Sequence, residues 1–156
     1  VVVVSAPRDV QAGRLRKRLA SLPAAELDWG FCHGEFNARN NHLHPETGEV
    51  TTFDFEGCGA GFRAYDLAVF RFMLGLKEGD NDPGLRWRAY LHGYAERRRL
   101  AALDRQAIPL FVPLRPIGIL MNIVRTHKPR PDGGIPNPDF FEETLRFLRE
   151  WDRTYL

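Results

Sequence analysis

The chain has 156 residues, of which 44% are hydrophobic and 27% are charged, and this balance excludes a disordered chain. Its 22 basic and 20 acidic residues leave a net charge of +2, which is too small to indicate nucleic acid or an acidic membrane as a partner. Two cysteines are too few for a disulfide scaffold, so we expect a reduced, cytoplasmic setting with Cys32 and Cys58 as buried thiols. The length fits one domain, and no signal peptide is recognisable.

The predicted elements make a mostly helical protein with one small β-hairpin. In chain order we expect an amphipathic helix over residues 7–22, hairpin strands over 41–44 and 49–55, and a flexible loop around Gly57, Gly59 and Gly61. Helices are then predicted over residues 64–76, 83–100 and 140–151, with a proline-rich loop over 127–139. Prolines and an arginine interrupt the apolar stretch 108–124, so we interpret it as a buried helix that starts near Pro113 or Pro116, not as a membrane span.

One segment carries the groups that phosphoryl transfer needs. His33, Gly34 and Glu35 are followed five residues later by Asn40, which is the spacing of the kinase catalytic loop H-x-D-x-x-x-x-N, with Glu in the Asp position. Asp54 stands fourteen residues after Asn40, in the frame of the kinase D-F-G motif. Such a reaction needs one carboxylate to orient the acceptor hydroxyl, and an amide oxygen and a second carboxylate to hold Mg²⁺. The hairpin between the two motifs would bring them together.

In this order the motifs resemble the aminoglycoside phosphotransferase and choline kinase superfamily. The family pattern has three parts: H-G-D-x-x-x-x-N, a D-F strand end and a Y-D-L-A helix. The first part corresponds to His33 to Asn40, the second to Phe53-Asp54-Phe55, and the third to Tyr65-Asp66-Leu67-Ala68. The resemblance implies the C-terminal lobe of the protein-kinase-like fold, which is mainly α with a small β-hairpin (α+β). It also implies ATP-dependent transfer of a phosphoryl group to a hydroxyl of a small molecule.

The resemblance further implies a role for each matching residue. Glu35 takes the place of the catalytic Asp, and Asn40 completes the catalytic loop. Asn40 and Asp54 match the Mg²⁺ ligands that face the phosphates of ATP. Asp66 matches a structural acid that hydrogen-bonds the catalytic loop, and His33 matches a histidine that packs this loop.

The nucleotide-binding lobe of a kinase has no counterpart in this sequence. A Gly-rich loop and a strand lysine hold the ATP phosphates in kinases, whereas the 32 residues before His33 form mostly one helix whose only lysine is Lys17. We therefore expect either a fragment of a longer protein or a free-standing C-lobe, with a missing N-lobe or a partner chain as its partner. Activity is then expected only in a complete two-lobe protein. Residues 1–156 then form a single C-lobe, with a leading helix and linker (1–28), a catalytic loop and hairpin (29–62) and a helical acceptor-binding part (63–156).

Glu35 leaves more than one function open. One extra methylene moves the carboxylate, and a misplacement of roughly 1 Å can cost about 10²-fold in rate. The alternative is therefore a non-catalytic, pseudokinase-type lobe that serves as a binding or interaction module. A third hypothesis is a metal site formed by His42 and His44, which share a strand face, together with Glu35. For the acceptor, either an aromatic site for a quaternary amine or plain core packing would use Trp87, Tyr90, Tyr94 and Trp151.

Overall fold

The computed structural model describes residues 10–75, 82–126 and 138–155. Most of the predicted loop 127–139 lies outside these residues. Six helices are described: α1 (Val10–Ala20), α2 (Arg63–Gly75), α3 (Pro83–Arg97), α4 (Ala102–Phe111), α5 (Leu114–Thr126) and α6 (Pro138–Tyr155). The described strands are β1 (Trp29–Cys32), β2 (Asn41–Leu43), β3 (Val50–Thr52) and β4 (Gly59–Phe62), and single 3₁₀ turns lie at Ala24–Glu26, Ala38–Asn40 and Phe55–Gly57.

The sheet structure corrects one prediction. The hairpin is confirmed, because β2 pairs antiparallel with β3 and Asn41 lies opposite Thr52. The flexible loop predicted at the glycines is wrong, because β4 pairs antiparallel with β1, from Trp29 opposite Phe62 to Cys32 opposite Gly59. The partners in this second sheet lie about thirty residues apart in sequence, and local pattern does not reveal such distant pairing. Cys58 precedes β4 and is exposed, which corrects its expected burial, whereas Cys32 is buried.

The apolar stretch after residue 101 forms two helices instead of one. Helix α4 runs through Pro109, and the chain breaks at Val112 and Pro113 before α5 begins. Helix α4 was not predicted, because Pro109 was interpreted as an interruption. Near the end of a helix, however, proline removes only one hydrogen bond. By length and composition alone Ala102–Thr126 could cross a membrane. Ala107, Ile108 and Phe111 of α4 are buried against α2 in the core. Helix α5 begins beside Pro113 as predicted, but its predicted burial is wrong, because Pro116 is its one buried residue and Met121 and Val124 are exposed.

Helix α2 lies at the centre of the core, as its apolar sequence predicts. Its buried side chains Leu67, Ala68 and Phe72 pack with residues of α4 and with Trp151 of α6. The indole Nε1 of Trp151 donates to the carbonyl oxygen of Pro109 at 2.9 Å, so that polar atom is satisfied inside the core. Helix α2 begins beside the end of β4 and packs against β1. Its position in the core therefore determines where the loop after β1 begins.

Asp28 ties the start of β1 to two helices. Its carboxylate receives a two-pronged hydrogen bond from Arg98, after the end of α3, and a third bond at 2.8 Å from Arg63, at the start of α2. Its backbone N–H donates to Asp104 of α4 at 2.9 Å. The hydrogen bond from Arg98 is the main reason that the pKa of Asp28 lies below its usual value, with partial burial opposing it and Arg63 adding to it.

Candidate functional site

The loop after β1 is anchored by Asp66, in the first turn of α2. Its two carboxylate oxygens accept the backbone N–H groups of His33 and Gly34, both at 2.7 Å. This is the role that the resemblance implies for Asp66. Gly34 has φ +82, and a Cβ there would lie 2.2 Å from the carbonyl oxygen of Gly57, so only glycine fits at this point of the loop.

His33 packs the loop through its ring and both of its ring nitrogens. The ring is buried; Nε2 donates to the carbonyl oxygen of Phe53 at 3.0 Å, and Nδ1 accepts the N–H of Glu35 at 3.3 Å. A carbonyl oxygen can only accept and a backbone N–H can only donate, so the two contacts use Nε2 as the donor and Nδ1 as the acceptor. The ring also packs on that of Phe55, with 4.5 Å between the centroids. His33 thus links the catalytic loop to the chain around Asp54, as expected.

Two asparagines close the loop on the backbone of Glu35. The carbonyl oxygen of Glu35 accepts the side-chain amides of Asn37 at 2.7 Å and Asn40 at 3.0 Å. Asn37 also caps the following 3₁₀ turn by accepting the N–H of Arg39. Sequence reasoning missed Asn37, although an Asn before a short turn is a typical capping signal. Because the Asn40 nitrogen is used in the loop, its amide oxygen is the atom left to bind a ligand.

The hairpin brings Asp54 beside Asn40. The N–H of Phe53 donates to the backbone carbonyl of Asn40 at 3.1 Å, so Asp54 follows a residue that is bonded directly to the catalytic loop. Asp54 is exposed and has φ 67 and ψ 59, and it is the one non-glycine residue with positive φ in the described part of the chain. Aspartate tolerates this conformation better than most residues, and such backbone strain is concentrated at functional sites.

Asn40 and Asp54 form a donor set that fits Mg²⁺. The set combines an amide oxygen with a carboxylate, which are the hard oxygen ligands that this ion prefers. Within the described ranges the carboxylate of Asp54 accepts no hydrogen bond from protein, so its oxygens are free to bind a ligand. Glu35 differs in this respect, because its carboxylate is ion-paired.

The partner of Glu35 is Arg115 of α5, which sequence reasoning did not identify. Oε1 of Glu35 lies 2.6 Å from Nη2 of Arg115, and the side chains are 34% and 21% exposed. The pair joins positions eighty residues apart, so no local motif contains both. Burial raises the pKa of the nearby Tyr65 hydroxyl and the Arg115 guanidinium opposes that rise, so Tyr65 stays protonated at neutral pH.

A cavity of about 380 Å³ borders this loop. Gly34 and Gly57 line it on the side of the loop, Tyr65 lines it from α2, and Leu114 lines it from the start of α5. Its remaining walls come from the sheet of β1 and β4 and from Phe111. The site therefore combines a neutralised carboxylate, an unpaired carboxylate, an amide oxygen and an adjacent, largely apolar cavity.

Comparison with protein-family models identifies the family to which the chain that carries this site belongs. The model of the phosphotransferase enzyme family (APH) matches residues 5–103, which is more than half of the chain and includes the whole loop and hairpin. The chain belongs to this phosphotransferase family. An uncharacterised protein of Deinococcus radiodurans is 37% identical over 153 residues, covering 97% of this chain and 44% of that protein. An uncharacterised protein of Synechocystis sp. is 30% identical over 97 residues, covering 60% of this chain and 25% of that protein.

Solved structures show the same fold for this phosphotransferase-family chain. The amicoumacin kinase hAmiN, in complex with AMP-PNP, Ca²⁺ and Ami, superposes with a TM-score of 0.67 at 23% identity, covering 92% of this chain and 43% of that one. A microcompartment-associated aminopropanol kinase gives 0.62 at 20% identity, covering 91% and 41%. The fold is thus the C-terminal lobe of a kinase-like phosphotransferase, mainly α with small β-sheets. The chain spans less than half the length of each of these four proteins.

The metal site predicted at His42 and His44 does not form, whereas the aromatic residues take the core-packing alternative. His42 is exposed on β2, whereas His44 lies beyond the strand and accepts the N–H groups of Glu46 and Thr47 in the turn. In the portion of the chain that is described, no three His, Cys, Asp or Glu side chains are grouped to hold a metal ion. The aromatic residues serve packing: Tyr90 stacks on Phe70 at 3.8 Å, and Trp87, Tyr90, Tyr94 and Trp151 all belong to the core or pack against it.

Proposed function

We propose that the chain is the C-terminal lobe of an ATP-dependent kinase that phosphorylates a hydroxyl of a small molecule. The observation that carries this proposal is the meeting of Glu35, Asn40 and Asp54 at one loop, which Asp66 anchors through two backbone hydrogen bonds. The N-lobe that covers the nucleotide would come from the complete protein or from a partner chain. The solved neighbours support a nucleotide and a small-molecule acceptor, since one is an amicoumacin kinase bound to AMP-PNP and the other an aminopropanol kinase.

Each residue has a defined part in this reaction. The amide oxygen of Asn40 and the carboxylate of Asp54 would hold Mg²⁺, which when bound neutralises charge on the phosphates. Oε1 of Glu35 faces Arg115, which leaves Oε2 to accept the hydrogen bond of the acceptor hydroxyl. The hydroxyl oxygen attacks the γ-phosphorus as the bond to the ADP oxygen breaks, and its proton passes to Glu35.

The test measures ADP release by the complete protein with MgATP and a panel of small hydroxyl compounds. We expect acceptor-dependent turnover, which Asp54→Asn and Glu35→Gln lower by about 10²-fold or more because each removes a charge that acts in the transition state. His42→Ala is the matched control, because His42 is exposed on the same hairpin and has no part in the site.

The non-catalytic alternative predicts a different result in the same assay. A binding lobe would bind its ligand, release no ADP with any hydroxyl compound, and be indifferent to Glu35→Gln. Turnover in the wild-type protein together with its loss in Asp54→Asn would exclude that alternative. We also propose that the protein works in the cytoplasm, where ATP is available.

A further inference from the structure

The Glu35–Arg115 pair joins the catalytic loop to helix α5. The pair is direct, at 2.6 Å, and both side chains are mostly shielded from water. Shielding from water makes such an ion pair stronger than an exposed surface pair. Glu35 is therefore held in one place by a residue that no kinase motif in the sequence contains.

Arg115 stands at an unusual place for a cation. It is the second residue of α5, directly after the break at Val112 and Pro113, and the next residue, Pro116, is buried. The first turn of a helix carries the positive end of the helix dipole, so a basic side chain is locally disfavoured there and a carboxylate is favoured. Glu35 supplies that carboxylate. The guanidinium Nε is buried and has no hydrogen-bond partner among the described residues, while Nη2 pairs with Glu35 and the guanidinium also interacts with the Tyr65 hydroxyl.

The length of the glutamate matches this arrangement. An aspartate at position 35 would be shorter by one C–C bond, about 1.5 Å, and would lose direct contact with Nη2 of Arg115. The longer side chain also needs room beside the loop. Gly57 provides it, since a Cβ there would lie only 3.3 Å from Cγ of Glu35. Glutamate, glycine and arginine therefore fit one another at this site.

We propose that Arg115 is a positioning residue that fixes the carboxylate of Glu35 for the acceptor hydroxyl. This inference rests on the function proposed above and explains its one departure from the family pattern. Arg115 pairs with Oε1 and orients the carboxylate, while Oε2 remains for the hydroxyl. Glu35 is then a working base adapted to an arginine, and not the remnant of a lost one.

A masking role is the competing interpretation of the same contact. If Arg115 held Glu35 away from the acceptor, removing the arginine would free the carboxylate and raise the rate. If Arg115 positions Glu35, removing it lowers the rate, and shortening Glu35 does the same for the same reason. The two interpretations therefore predict opposite signs.

The experiment compares Arg115→Met, Arg115→Lys, Glu35→Asp and the double variant Glu35→Asp/Arg115→Met in the complete protein. The probe is MgATP with the panel of small hydroxyl compounds named above, and the ADP release that depends on the acceptor is measured. Arg125→Met is the matched control, since Arg125 is exposed on the same helix. Thermal unfolding verifies that each variant is folded; if Arg115→Met does not fold, Arg115→Lys and Glu35→Asp carry the test.

We expect kcat to fall about 10²-fold in Arg115→Met and in Glu35→Asp, with KM for MgATP unchanged because Asn40 and Asp54 are intact. Arg115→Lys should recover part of kcat, and the double variant should be no slower than the slower single variant. A wild-type or higher kcat in Arg115→Met, or losses that multiply in the double variant, would overturn the role of Arg115 alone. A wild-type protein that binds MgATP and releases no ADP with any compound of the panel would refute the proposed function itself, and the role of Arg115 with it.

Discussion

Replacing Asp66 by alanine should destabilise the fold far more than replacing Asp54 by alanine. The carboxylate of Asp66 accepts two backbone N–H groups at 2.7 Å, and its loss leaves both donors unpaired beside the buried ring of His33. Unpaired buried donors cost about 1–3 kcal/mol each, so we expect the free energy of unfolding to fall by about 2–5 kcal/mol. In a domain of this size that corresponds to a decrease in Tm of about 4–20 °C.

Asp54→Ala supplies the comparison. The side chain of Asp54 is exposed and makes no hydrogen bond within the described ranges, so only its tolerance of positive φ is lost, at about 1 kcal/mol or less. Thermal unfolding followed by circular dichroism measures both variants. Asp66→Asn is the matched control for charge, and should lie close to Asp66→Ala because its NH₂ group would face one of the two donors. Equal Tm shifts for Asp66→Ala and Asp54→Ala, or a reversed order, would refute the anchoring role of Asp66.

Two further predictions concern groups outside the catalytic loop. The pKa of Asp28 is lowered in the folded state, chiefly by its hydrogen bond with Arg98, so its stabilising effect is present at neutral pH and is lost as the pH falls through that lowered value. The Tm difference between wild type and Asp28→Asn should therefore be largest near pH 7 and shrink below about pH 4; a gap independent of pH would contradict this. Burial raises the pKa of Cys32 to about 11, whereas Cys58 is exposed. At pH 8 iodoacetamide should modify one thiol per folded chain by mass spectrometry, and Cys58→Ser, not Cys32→Ser, should abolish that reaction.

The sequence predicted those parts of the fold that depend on neighbouring residues. The amphipathic or apolar periods of α1, α2, α3 and α6 and the turn of the β2–β3 hairpin are local signals, and each element was found within a few residues of its predicted bounds. The pairing of β1 with β4 was missed because strand partners distant in sequence leave no periodic signal in glycine-rich segments. Helix α4 was missed because Pro109 was taken as a break.

The candidate site likewise contains residues that the sequence reveals and residues that only the structure reveals. Glu35, Asn40 and Asp54 belong to motifs with fixed spacing, and Asp66 was identifiable as a carboxylate on an otherwise apolar helix that needs buried donors. Asn37 could have been identified from the sequence as a capping residue. Arg115 could not have been identified in this way. The break between α4 and α5 and the packing of α4 on α2 bring it to Glu35, and both are products of the tertiary fold.

The contact between Glu35 and Arg115 changes the interpretation of a glutamate at position 35. From the motif alone, glutamate at position 35 differs from aspartate by a methylene that displaces the carboxylate and weakens the case for catalysis. In the structure the same methylene lets the carboxylate reach Arg115, across a glycine that leaves it room. A substitution that removes function in one framework can preserve it when the residues around it are matched to the new length. Glu35 and Arg115 therefore act as one unit, and the double variant, compared with the single variants, measures how far the work of Glu35 depends on Arg115.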